Sequence, residues 1–191
     1  MKSIMKKTSA LFLSICMLVS LSSPVSAQAS ATLPASAKKL ALQVSEYAST
    51  ELAQGHTKNQ MTLTSKEKYD AVAVLAFSKK HNTTFSKRNL KQIYKTYFGT
   101  EKRYNFKKSQ WLLTEKENFR YNGGEWGESI PANKIHKVRS TANGGYDITI
   151  KNCLRDLFEA DDIYSIGSCT VHLAPTAAGN YIVTGIRYRG V

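Results

Sequence analysis

The stretch that most constrains this chain is the C-terminal block from Lys134 to Tyr188. Three apolar-patterned segments, Lys134–Arg139, Tyr146–Ile150 and Cys169–Leu173, are followed by a fourth at Tyr181–Tyr188. Turn residues separate them: Asn143-Gly144-Gly145, the acidic Glu159–Asp162 run and Pro175–Asn180. This pattern predicts an antiparallel sheet. Such a sheet needs a cover for its apolar face, and the helical N-terminal half supplies one.

That half carries three helical patterns. The first runs from about Ala35 to Gln54, with Leu40, Val44, Tyr47, Ala48 and Leu52 on one stripe and Gly55 ending it. Thr64 and Glu67 make a capping box for the second, whose face holds Tyr69, Val72, Ala73, Ala76 and Phe77 before His81-Asn82 closes it. Ser86 caps the third, with Leu90, Ile93, Tyr94, Tyr97 and Phe98 as its apolar stripe. Gly99 is placed as a left-handed stop. Gln110–Leu113 and Asn118–Tyr121 then suggest short strands. Asn122-Gly123-Gly124 predicts a hairpin turn into a return strand at Glu125–Ile130, and Pro131 marks an end or an edge. Helices first and strands afterwards argue for α+β.

The chain opens with Lys2, Lys6 and Lys7, then the apolar run Ala10–Leu21, then Ala27-Gln28-Ala29, a small-x-small cleavage pattern. These features make a secretory signal peptide with cleavage after Ala29 or Ala27. Leu13-Ser14-Ile15-Cys16 loosely resembles a lipobox, but Ile15 is bulky where that motif takes a small residue and the apolar run continues past Cys16. Cys16 therefore reads as part of the signal core, not as a lipid anchor. No other stretch is long and apolar enough for a transmembrane anchor. The chain divides into the signal peptide at 1–29, a leader and helix at 30–63 and an α+β domain at 64–191.

With the signal removed, Cys153 and Cys169 remain, and an exported protein meets an oxidising environment. They are equidistant from Asp161, so a simple hairpin brings them opposite and a disulfide is the expectation, worth about 3 kcal/mol. Strand alternation instead puts them on different faces. A bulge near Asn152 reconciles the two, and the alternative is two separate reduced cysteines. The histidines His56, His81, His136 and His172 are scattered, with His136 and His172 pointing away from the apolar face of their strands. The acidic run Asp156, Glu159, Asp161 and Asp162 lacks the spacing, glycine and closing Glu of an EF-hand loop, so it reads as a solvated turn and no metal site is expected. No nucleophile elbow, zinc-protease motif, phosphate-binding loop or dinucleotide fingerprint occurs, and nothing calls for a cofactor.

The order of elements resembles the NTF2-like (cystatin-like) fold, helices followed by a strongly curved antiparallel sheet, over about Thr64 to Arg189. The run Leu-Lys-Gln-Ile-Tyr-Lys-Thr-Tyr-Phe-Gly at Leu90–Gly99 looks like a helix-ending segment of secreted proteins from Gram-positive bacteria, as does the spacing of Asp162-Ile163-Tyr164 ahead of the last strands. The resemblance implies a cone whose sheet wraps the helices and leaves a pocket. Enzymes that look like this place an Asp–His or similar pair inside the cone. Asp70, Asp147, His136 and His172 are the groups available, with Asp70 and His172 as the catalytic candidates, but no spacing ties them together.

The chain carries 27 Lys and Arg against 14 Asp and Glu, a formal charge of +13, and losing the signal removes three of those lysines. So basic an exported protein is drawn to polyanions. The densest run holds Lys87, Arg88, Lys91, Lys95, Lys102, Arg103, Lys107 and Lys108, opposed only by Glu101. It is the candidate binding surface, and its alternative is a solvated face that keeps the protein soluble. Export makes an anionic cell-wall polymer, or another envelope protein, the natural partner and nucleic acid not an expected one. The sequence therefore predicts a secreted, loosely wall-associated, non-catalytic binding module that uses its basic face or holds a small ligand in a sheet-lined pocket. Its alternatives are a small enzyme and an inhibitor of an envelope protein.

Overall fold

A computed structural model describes residues 32–80, 83–123, 129–158 and 162–191. The expected signal peptide with Cys16 lies outside them, as do His81-Asn82, most of the expected return strand (residues 124–128), and Glu159 and Asp161 of the acidic run.

Helix α1 (Ala35–Ala53) follows Pro34, whose carbonyl accepts the Lys38 N–H at 2.9 Å. Its expected stripe is buried, and so are Ser45, Ser49, Thr50 and Glu51, because protein surrounds its second half. Helix α2 (Ser65–Lys80) opens on the predicted capping box: Thr64 N–H donates to Glu67 Oε2 at 2.7 Å, and Glu67 N–H to Thr64 Oγ1 at 3.2 Å. The unbroken run Ala71–Ala76 is buried, as befits a helix enclosed on every side. Between α2 and α3 lies the short strand β1 (Thr84–Ser86). Helix α3 (Lys87–Phe98) is capped as expected, Ser86 Oγ accepting the Asn89 N–H at 3.2 Å, and Gly99 ends it at φ +81°, a conformation that costs a glycine little.

Beyond a single 3-10 turn at Phe106–Lys108 come strands β2 (Leu112–Glu115) and β3 (Asn118–Tyr121). They pair with each other and with β1 in a small sheet of order β1-β3-β2. This corrects the sequence expectation. The hairpin closes over Lys116-Glu117, with Lys116 at φ +51°, and not at Asn122-Gly123-Gly124. The strand after it, β4 (Ser129–Pro131), belongs to the larger sheet. A Glu–Lys pair at a tight turn carries no Gly or Asn signal, which is why the more conspicuous downstream glycines attract the prediction.

The larger sheet contains β4, β5 (Lys134–Ser140), β6 (Tyr146–Asp156), β7 (Ile163–Pro175) and β8 (Tyr181–Gly190), all antiparallel. Strand β6 lies beside β7 and β7 beside β8, while β4 and β5 share the far side of β6. Pro131 accordingly occupies an edge strand, and β5 carries a bulge at His136. The sheet curls, and Ile148, Ile150, Val171, Leu173, Val183 and Ile186 on its inner face are buried with α1 laid across them. Helices packed on one face of an antiparallel sheet define an α+β fold. Helix α1 lies in the same compact unit as the segment 64–191.

The free side of β8 is covered by the irregular segment after α1. Lys58 and Tyr188 exchange backbone hydrogen bonds at 2.8 and 3.0 Å, and Ile186 N–H donates to the Met61 carbonyl at 2.8 Å. Gly185 makes room for this segment, because a Cβ there would sit 2.6 Å from the Met61 oxygen.

Strands β6 and β7 run well past their predicted ends, and Asn152, a polar residue on the inward face, finds partners for its amide N–H groups inside while its Oδ1 is left without one among the described residues. Its amide donates to the Ser45 carbonyl at 3.1 Å and to Ser49 Oγ at 2.9 Å on α1. The same strands overturn the disulfide expectation: Cys153 and Cys169 are free, buried thiols. A bulge does lie beside Asn152, but its extra residue, Ile166, comes from β7. Ile150 therefore faces Cys169 and Cys153 faces Ser165. Cys169 joins the inner core while strand alternation puts Cys153 on the other face, and the two thiols are not bonded.

Candidate functional site

Along α3, four-residue spacing lines up Lys87, Lys91 and Lys95 in a row that flanks the buried stripe of Leu90, Tyr94, Tyr97 and Phe98. With Arg88 and Gln92 they line a shallow concavity of about 330 Å³. Among the described residues no carboxylate ion-pairs with these four cations; Lys91 Nζ instead lies 5.5 Å above the Tyr104 ring. Glu101, the lone acid of the segment, is turned inward. Tyr69 donates to its Oε2 at 2.7 Å and Tyr94 to its Oε1. Burial, reinforced by that bond to Glu101, raises the Tyr94 hydroxyl well above its ordinary pKa. The other predicted cations, Lys102, Arg103, Lys107 and Lys108, are exposed on the following loop and 3-10 turn, where buried Phe106 anchors the backbone, and they do not line the concavity.

A larger cleft of about 580 Å³ begins where the α3 row ends. Lys39 and Gln43 of α1, Lys79 of α2, Lys95 and Tyr97 of α3 and Tyr181 of β8 are among its lining residues. Tyr97 OH donates to Gln43 Oε1 at 2.7 Å, and Lys79 Nζ stands 4.9 Å above the Tyr97 ring. Desolvation and the neighbouring Lys39 charge lower the Lys79 pKa, against the pull of Glu46.

The outer face of the large sheet was not singled out in the sequence. Lys137, Thr149, Thr170 and Arg187 face one another across four strands, and Lys134, Lys151, Ser168 and Arg189 form the next rung. Ser168, Thr170, Arg187 and Arg189 line a cleft of about 370 Å³ beside Lys58, whose ammonium is held 2.6 Å from Glu67. Alternation along each strand marks these residues as outward-facing. Only the cross-strand register, which no single strand encodes, brings them together.

The two catalytic candidates lie apart. Asp70 is buried and its oxygens are occupied: Ser109 Oγ and Gln110 N–H donate to Oδ1 at 2.7 and 2.8 Å, and Lys66 Nζ to Oδ2 at 2.9 Å. It ties α2 to the segment before β2. His172 does meet an acid, Asp147 directly across the strands, with Nδ1 2.5 Å from Oδ1. The pair is half-buried and on the outer face of the sheet, not within its curl. His136 is exposed in its bulge, and His56 Nδ1 lies 2.9 Å from Glu51 Oε2. No group of three or more His, Cys, Asp or Glu side chains placed to hold a metal occurs among the described residues, and none of their helices is long and apolar enough to cross a membrane. Compared with protein-family models, curated proteins and solved structures, the chain matches none.

Proposed function

We propose that this is an exported, non-catalytic binding protein of the bacterial cell envelope, with an NTF2-like cone as its scaffold, that holds an anionic wall polymer along α3. The observation that carries this reading is the row Lys87, Arg88, Lys91 and Lys95, which has no carboxylate partner among the described residues. Inward capture of Glu101 leaves that row uncompensated. Cations kept at four-residue intervals on a rigid helix offer repeated contacts to a chain of regularly spaced negative charges, and such contacts weaken as salt screens them. The export signal favours a wall polymer over nucleic acid as that chain.

The test is retention of the mature protein on purified cell walls, with and without teichoic acid, across a salt series. Retention should require teichoic acid, fall steeply with salt, and drop at least tenfold in K87E/K91E/K95E. Retention equal at low and high salt would sink the proposal. Retention unchanged in that variant but lost in R187E/R189E would move the polymer to the sheet's outer face.

A further inference from the structure

The cleft at the end of the α3 row has a composition that solubility does not explain. Three helices each direct a lysine to it, Lys39, Lys79 and Lys95, and no Asp or Glu lines it. Burial first and the neighbouring Lys39 charge second depress Lys79, while Glu46 pulls the other way. Because Tyr97 OH donates to Gln43 Oε1, the Gln43 –NH₂ remains available as a donor. Thr176 and Asn180 also line the cleft, the Thr176 hydroxyl being engaged with the Asn180 backbone. Leu40 and Ile182 add an apolar floor. A volume of about 580 Å³ accommodates a small organic molecule.

We infer that this cleft binds a phosphate ester of a polyol or sugar, with the phosphate among Lys39, Lys79 and Lys95 and the carbon body against Leu40, Ile182 and the Tyr181 side chain. Three ammonium groups match an anion carrying more than one negative charge better than a single carboxylate, and lysines bind phosphate as point charges without demanding a fixed fork geometry. Hydroxyl and amide neighbours suit the hydroxyl groups of a polyol. The site stands whether or not α3 holds a polymer, since Lys39 and Lys79 lie outside the α3 row.

The experiment is titration of the mature protein with glycerol 1-phosphate and glucose 6-phosphate, followed by NMR of the backbone amides, with glycerol, glucose and inorganic phosphate as comparisons. Both esters should shift the amides around residues 36–43, 96–97 and 180–182, and bind at least tenfold more tightly than inorganic phosphate. K39Q/K79Q should weaken the esters at least tenfold while keeping the wild-type melting temperature, and K79Q alone should give an intermediate loss. Ester binding unchanged in K39Q/K79Q, no shifts at those amides, or inorganic phosphate bound as tightly as the esters would each overturn the inference. Ester binding retained in a protein that ignores cell walls would refute the wall-polymer reading alone. The reverse result would refute this one alone.

Discussion

Asp70 shows how a carboxylate that looks chemically available in the sequence is committed by its neighbours. It accepts from Ser109, Gln110 and Lys66 while remaining almost fully buried, so its removal leaves a hydroxyl and a backbone N–H without their acceptor. Asp70→Ala should therefore lower unfolding stability by about 2–4 kcal/mol, read from urea melts, while ligand binding by the folded fraction is unchanged. Lys66, half-exposed, returns to water and adds little to that loss. The residue-level features that depend on one local signal were readable in advance: the Thr64/Glu67 box, the Ser86 cap and the Gly99 stop are each set within a few residues. The roles of Asp70, His172 and the two cysteines were not, because each depends on a partner well beyond its own neighbourhood in the chain. Cys169 illustrates the point. Burial pushes its thiol up to about 12, against the opposing effect of Asn152, and a one-residue bulge in β7 determines what it faces.

Among the elements, the start of α2 has a definite pH signature. Burial alone would raise the Glu67 carboxyl, but the hydrogen bonds from Lys58 and from Thr64 outweigh it and hold the group below its ordinary value of 4.5. A carboxyl depressed in the folded state stabilises the fold above the unfolded-state pKa, and that contribution is lost as pH falls through the lower folded-state value. Stability should thus decline below about pH 4.5, and Glu67→Gln should flatten that acid limb while costing about 1 kcal/mol at neutral pH, measured by thermal melts across pH. The helices were legible in sequence because each has a cap and a stripe. The ends of β6 and β7 were not, since nothing near Asn152 in the chain shows that α1 supplies partners for its amide. The small sheet was misjudged for a similar reason: β3 takes its second partner from β1, on the far side of α3.

At the scale of the whole molecule, several carboxylates are spent on internal contacts while many cations face outward. Glu101 and Asp70 bond inward, whereas the α3 row, the lysine cleft and the outer sheet face present positive charge in different directions. The sheet's margins add a separate property. The segment from Lys58 to Thr62 occupies the free side of β8. The opposite margin is split between β4 and β5, interrupted at Ala132-Asn133, bulged at His136 and studded with Lys134, Lys137 and Arg139. Neither margin offers a long, straight row of unpaired backbone groups, which is what strand-to-strand association requires. The folded domain should therefore resist strand-to-strand association and sediment as a monomer even at high concentration. Replacing Gly185 with valine, which would lift the Met61 segment off β8, should make it self-associate. With one margin covered and the other broken up, the sheet carries its own guard against growing into a fibre.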